Sequence, residues 1–297
     1  MAPFLLLKDF IVYLEIEKRY SKHTLLAYQK DLEQFLEFSS ERGKIELNKI
    51  ARGDVRSWIV GLSDTQLENK SINRKLSALR SFFKWLKKEK IVESSPLLKI
   101  TGPKNAKRLP GFAKESELAS ERIEPLFSKD FNGLRDQVMV ELFYQTGIRL
   151  SELLQLKNDQ LSQVSIKVLG KRNKERLIPI SKELADLIGS YCQVKQKMGL
   201  DSSFLLVTEK GNNLYAKFVY RRINHYLRRA TSLEKCSPHV LRHTFATHLL
   251  NNGAGLETLK NLLGHANLSA TQVYTHNSFA QLTNIYSQAH PRGAKID

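Results

Sequence analysis

Apolar residues recur at helical spacing through most of the chain. In "SKHTLLAYQKDLEQFLEF" Leu25, Tyr28, Leu32, Phe35 and Leu36 line one face, and Ser21 stands where a helix is capped. "SINRKLSALRSFFKWLKKEK" repeats the pattern with Ile72, Leu76, Leu79, Phe83 and Leu86. With a first helix over 5–16 and a shorter one over 54–62, the opening hundred residues predict a four-helix bundle. The pattern breaks between Ser94 and Phe112, where Pro96, Gly102, Pro103 and Pro110 interrupt any apolar period, and a linker is expected. Further on, two β-branched runs, 164–169 and 176–180, flank a polar turn and predict a hairpin. Helices are then expected over 182–198, 216–230, 239–251, 256–263 and 279–289. The fold class is mainly α, in two domains. A helical bundle spans 1–100, a linker 101–112, and a mixed, mostly helical domain with a small β-hairpin 113–297.

Charge sharpens this picture. The 297 residues carry 47 Lys and Arg against 30 Asp and Glu, a net charge of +17, which points to a polyanionic partner. The excess divides almost evenly, +9 over 1–110 and +8 over 111–297, so two basic folded lobes fit better than a basic tail. Arg74, Lys75, Arg80 and Lys84 lie mostly off the apolar stripe of their helix; contact with a DNA backbone and plain solvation both account for them. Lys104, Lys107 and Arg108 suit a linker that crosses phosphates, and solubility explains them equally well. No apolar run reaches the roughly 20 residues that span a bilayer, and the N-terminus lacks a signal-peptide pattern, so a cytosolic protein is expected. Cys192 and Cys236 have no metal-type spacing and read as small hydrophobes.

The stretch "SPHVLRHTFATHLLNNG" places His239, Arg242 and His243 within one helical turn. His239 and His243 have the spacing of a zinc helix, but Val240 stands where that motif needs glutamate, so no metal is expected. For His243 and His248 the plain expectation is hydrogen bonding to neighbouring backbone. Tyr220 and Tyr286 are read as packing residues with a polar tip.

Four blocks in order carry a family resemblance: "TGIRLSELLQL" from Thr146, "GKRNKERLIPI" from Gly170, "HVLRHTFATHLL" from His239 and "LLGHANLSATQVYTH" from Leu262. Together they resemble the tyrosine recombinases, close to the Xer-type enzymes and phage integrases, over nearly the whole chain. The resemblance implies a catalytic set of Arg149, Lys171, His239, Arg242, His265 and the nucleophile Tyr274, with Glu152 supporting the first arginine. Arg172 stands where many relatives carry glycine and is counted with the DNA-facing cations.

The chemistry can be argued from the residues alone. Attack on a phosphodiester gathers charge on the phosphorus oxygens, and Arg149, Arg242 and His265 can meet it with forks and a donor. A phenol with a pKa near 10 is about one part in a thousand ionised at pH 7, so Tyr274 needs a base, for which His239 is suited. The leaving 5′ oxygen needs an acid, for which Lys171 is suited. The resemblance further implies cleavage and rejoining through a 3′-phosphotyrosyl ester at an inverted-repeat site, without cofactor or ATP. Its expected partners are double-stranded DNA, a dimer of the chain on one site, a tetramer in the synapse, and a second recombinase as an open alternative. A type IB topoisomerase and a non-catalytic DNA-binding protein, with "LETLKNLLGHANLSATQVYTH" as a helix-turn-helix, are the rival readings. The amphipathic tail with Phe279, Leu282, Ile285 and Tyr286 would fold on its own core by sequence, or on a neighbouring protomer by resemblance.

Overall fold

The computed structural model describes residues 2–43, 46–105, 111–170, 175–264 and 276–293. The chain divides into two units, Met1–Arg108 and Leu109–Asp297. In the first, α1 (Pro3–Ile16), α2 (Lys22–Glu41), α3 (Arg52–Asp64) and α4 (Asn69–Lys88) form the expected bundle. Pro3 opens α1 at the position where its missing N–H costs nothing, and the Ser21 hydroxyl accepts from the Thr24 N–H to cap α2. The core is aromatic: Phe10, Phe35, Phe82 and Phe83 are fully buried, and Phe35 meets Trp58 edge-on at 4.9 Å between ring centres.

Much of the segment expected to be a linker belongs to this unit. Leu97 and Ile100 join its core, and α4 holds the backbone beyond them: Arg80 donates to the Ile100 carbonyl, Asn73 to that of Pro103 and Asn69 to that of Lys104.

The second unit contains α5 (Ser120–Ile123), α6 (Phe131–Thr146), α7 (Leu150–Gln155), β1 (Ser165–Leu169), β2 (Glu175–Pro179), α8 (Lys182–Lys197), α9 (Ala216–Ala230), α10 (Pro238–Asn251), α11 (Leu256–Leu263) and α12 (His276–Ala289). The hairpin and the helices from α8 onward stand within about three residues of expectation. The strands pair antiparallel, with Lys167 opposite Leu177. The hydrophobic pattern does not delimit α6, and the reason is physical: 13 of its 16 residues are buried, so it has no polar face to set a period. It packs against α8, α9 and α10. Asp130 caps its start by accepting from the Gly133 N–H, and Gly147, at φ +57°, ends it in the left-handed region. The polar groups it buries are paired: Asp136 accepts from Arg135, Arg222 and Tyr226, and Glu141 from Gln145 and Arg292.

The helix α12 lies on the protein's own second unit, the outcome expected from sequence alone. Leu282, Tyr286 and Ala289 are buried, and the Tyr286 hydroxyl donates to Gln145 Oε1 at 3.2 Å. Beyond the helix, His290 is also buried. Its Nδ1 accepts from the Arg292 N–H at 3.0 Å, so Nε2 carries the proton and faces the Tyr144 carbonyl at 3.2 Å. Burial holds this imidazole neutral, with a pKa lowered from 6.5 to about 3.

The unfolded chain therefore binds a proton that the folded one refuses across that window. This residue's contribution is complete above pH 6.5 and is lost, at up to about 1.4 kcal/mol per pH unit, as the pH falls toward 3. Melting temperatures at pH 7.5 and pH 5 should drop further for the wild type than for His290→Phe; equal drops would exclude the linkage.

Candidate active site

The C-terminus of α11 organises the site. The last carbonyls of a helix have no intrahelical partner and carry the negative end of its dipole, which suits cations. Here three successive carbonyls each receive a different arginine. The Leu262 oxygen accepts from Arg176 Nε at 2.9 Å, the Leu263 oxygen from Arg242 Nη2 at 2.8 Å, and the Gly264 oxygen from Arg149 Nη2 at 3.1 Å. Gly264, at φ +64°, turns the chain out of the helix so that these carbonyls splay apart.

The arginines come from three elements. Arg149 precedes α7, where its own N–H donates to Glu152 Oε2 at 2.9 Å while its Nη1 donates to Oε1 at 2.8 Å. Arg242 sits on α10, and its Nη1 donates to the carbonyl of Gly147, two residues before Arg149. Gly147 is required by more than its φ: a Cβ there would lie 2.5 Å from the Phe245 ring, which is fully buried beneath Arg242 on the same helix. Arg176 enters from β2 and grips Glu152 with both terminal nitrogens, Nη1 to Oε1 at 2.9 Å and Nη2 to Oε2 at 2.8 Å.

Electrostatics follow from this crowding. Burial pushes the Glu152 carboxyl up, but the hydrogen bonds and charge of Arg176 and the donors of Arg149 outweigh it and bring its pKa down to about 2. Burial, then the charges of Arg149 and Arg176, lower Arg242 to about 10, which leaves it cationic at neutral pH. Three guanidiniums thus stand near one carboxylate, which among the described residues hydrogen-bonds only to Arg149 and Arg176. The excess positive charge, with Arg149 about one-third exposed, is a standing site for an anion.

The structure therefore brings together Arg149, Glu152 and Arg242, and adds Arg176, which reading the sequence missed. His239 is exposed one turn before Arg242 on α10. Lys171, Arg172, His265, Tyr274, Lys107 and Arg108 lie outside the described residues. Sequence nonetheless ties two of them to the site, since His265 directly follows Gly264 and Lys171 falls between β1 and β2 in sequence.

His248 is structural as expected, with its Nε2 at 2.9 Å from the Ala113 carbonyl and Nδ1 at 3.1 Å from the Tyr144 hydroxyl. His243 is half-buried with its ring edge-on to Phe112. Tyr286 packs as expected, but Tyr220 does not: it is 49% exposed on α9. It shares that helix's outer face with Lys217, Arg221, His225, Arg228 and Arg229, a basic surface that went unassigned although "AKFVYRRINHYLRRA" contains no acidic residue.

In the first unit, Arg74 and Lys75 both pair with Asp31, which is buried, and Arg80 is committed to the Ile100 carbonyl. Lys84 and Lys104 are exposed. Among the described residues no group of His, Cys, Asp and Glu is arranged to hold a metal ion. A cavity of about 750 Å³ beside Glu141 and Arg292 is lined by none of the three arginines.

Comparison with known proteins places this geometry. The phage integrase family matches residues 117–281, and the phage integrase N-terminal SAM-like domain matches 7–90. Tyrosine recombinase XerC of Staphylococcus saprophyticus is 39% identical over 294 residues, covering 96% of this chain and 97% of that protein. XerC of Anoxybacillus flavithermus is also 39% identical over 294 residues, covering 95% and 96%. Among solved structures, the XerH site-specific recombinase bound to palindromic difH substrate aligns with a TM-score of 0.73 at 22% identity, covering 95% of this chain and 83% of that one. The Tn1549 transposon integrase in complex with transposon right end DNA aligns with a TM-score of 0.69 at 17% identity, covering 96% and 99%. With both lobes matched in order and relatives 39% identical over nearly the full length, the chain belongs to the phage integrase family, as a tyrosine recombinase of the Xer type.

Proposed function

We propose that this recombinase acts at an inverted-repeat DNA site, where Tyr274 attacks the scissile phosphate held by Arg149 and Arg242. The observation that carries the reading is their convergence: two arginines 93 positions apart in sequence donate to the neighbouring carbonyls of Leu263 and Gly264. Each keeps a cationic fork beside the other with a single carboxylate nearby, an arrangement suited to charge that grows on phosphoryl oxygens.

In the proposed step the phenol oxygen forms a bond to phosphorus and the bond to the 5′ oxygen breaks. His239 takes the phenolic proton, and Lys171 protonates the departing 5′ oxygen. His265 adds a donor to the phosphoryl oxygens. The product is a 3′-phosphotyrosyl ester and a free 5′ hydroxyl, and the bond retained in the ester lets a 5′ hydroxyl of another duplex reverse the reaction. Two such exchanges pass through a Holliday junction in a tetramer, with one dimer on each site. Residues 1–100 form the core-binding domain, and residues 113–297 the catalytic one. Support for DNA as the partner comes from the net charge of +17, the acid-free outer face of α9, and the DNA-bound state of the XerH and Tn1549 structures. Lys84, Lys104, Lys107, Arg108 and Arg172 are proposed backbone contacts. Arg74, Lys75 and Arg80 can reach DNA only by sharing the donors they already use within the bundle.

The test uses nicked suicide duplexes carrying an inverted repeat, selected for binding from a degenerate pool. Incubation is expected to trap a covalent adduct whose DNA-linked peptide contains Tyr274. An adduct on another residue, or strand cleavage without any adduct, would overturn the reading.

A further inference from the structure

We infer that Arg176 is a positioning residue for cleavage: it neutralises Glu152 and thereby leaves the charge of Arg149 to the scissile phosphate. The inference rests on the proposed role of Arg149 and Arg242, and adds a third arginine that never meets the substrate.

Glu152 has two oxygens and about four lone-pair sites. Oε1 takes Arg149 Nη1 and Arg176 Nη1; Oε2 takes the Arg149 backbone N–H and Arg176 Nη2. All four are used, and the paired fork belongs to Arg176 rather than Arg149. Their burial differs accordingly. The Arg176 side chain is 5% exposed and that of Glu152 4%, so they form an enclosed neutral pair, whereas the Arg149 side chain is 32% exposed. Without Arg176 the carboxylate would face Arg149 and Arg242 with two vacant lone-pair sites. It would draw the more exposed Arg149 into the bidentate pairing and away from an incoming phosphate.

The same guanidinium also sets the acceptors of the other two. Its Nε holds the Leu262 carbonyl, and a Cβ built on Gly264 would lie 3.2 Å from both its Cδ and its Nη1, so it packs directly beneath the turn that presents Leu263 and Gly264. Arg176 is the second residue of β2 and follows Lys171 by five positions in sequence. One side chain thus ties the hairpin to both phosphate-holding arginines.

The experiment compares single-turnover cleavage of the nicked suicide duplex by the full-length wild type, Arg176→Gln, Arg176→Lys, Glu152→Gln, the double variant Arg176→Gln/Glu152→Gln, and Arg149→Ala. Arg176→Gln is expected to slow cleavage by about 30-fold or more, with duplex affinity within about twofold. Removing the orphaned carboxylate in the double variant is expected to restore about tenfold of that loss. Because an orphaned buried carboxylate also destabilises a fold, rates are taken well below the melting temperature of each variant, where loss and recovery of cleavage at unchanged duplex affinity report the positioning of Arg149 rather than the folded fraction.

Arg176→Lys keeps the neutralising charge but not the fork. It is expected between wild type and Arg176→Gln, and it carries the test if the glutamine variant does not fold. The inference is overturned if Arg176→Gln cleaves within about threefold of wild type, if the double variant shows no recovery, or if the lysine variant cleaves at the wild-type rate. Wild-type cleavage by Arg149→Ala would instead remove the proposed site while leaving the pairing of Arg176 with Glu152 untouched.

Discussion

Tyr274→Phe is expected to bind duplex DNA as the wild type does and to form no covalent adduct at all. The change removes one oxygen and no charge, so affinity set by basic residues should stay within about twofold. In the proposed mechanism cleavage loses its nucleophile outright. The buried tyrosines of the second unit cannot take its place. Burial pushes the phenols of Tyr144, Tyr226 and Tyr286 up, and that of Tyr191 to about 12, which holds them protonated and out of reach of a duplex. Denaturing electrophoresis of end-labelled substrate reads the result directly. A shifted band in the phenylalanine variant would mean that a different group attacks phosphorus.

The second large effect belongs to Arg242. Arg242→Ala is expected to slow single-turnover cleavage by roughly 10²–10³, the usual cost of one preorganised donor at a reacting oxyanion. Two further losses accompany it, because the Gly147 and Leu263 carbonyls lose the donor that joins them. Each such bond is worth about 1 kcal/mol, so the melting temperature should fall by several degrees without loss of the fold. Arg242→Lys supplies a single point charge and cannot span both carbonyls, so it should recover only part of the rate. A folded alanine variant that cleaves within about threefold of wild type would show that the arginine serves architecture and not the phosphate.

What could be read from the sequence was whatever leaves a period or a motif. The helices α2, α4 and α9 bury one face and solvate the other, and their boundaries emerge within a few residues. The opposite holds for α6, whose buried Asp136 and Glu141 look like exposed positions in a linear reading and take Arg222, Tyr226 and Arg292 from distant segments as partners, beside Arg135 and Gln145 of their own helix. Long-range pairing also explains Arg74 and Lys75. Their partner Asp31 lies more than forty positions away, so the cations of α4 appear unopposed until α2 is laid against it.

The candidate site divides along the same line. Arg149, Glu152 and Arg242 could be named from their motifs, but Arg176 follows several basic residues in "GKRNKERLIPI", and nothing in the spacing singles it out. Its importance lies in a carboxylate on α7 and a carbonyl on α11, which only the folded chain brings to it.

The row of carbonyls at Leu262, Leu263 and Gly264 has an evolutionary corollary. Main-chain oxygens carry no side-chain identity, so apolar substitutions at the first two positions leave all three anchors in place. Length is another matter: inserting or deleting a single residue there would hand every guanidinium its neighbour's oxygen. Related chains should therefore vary in spelling across this stretch and hold its residue count constant.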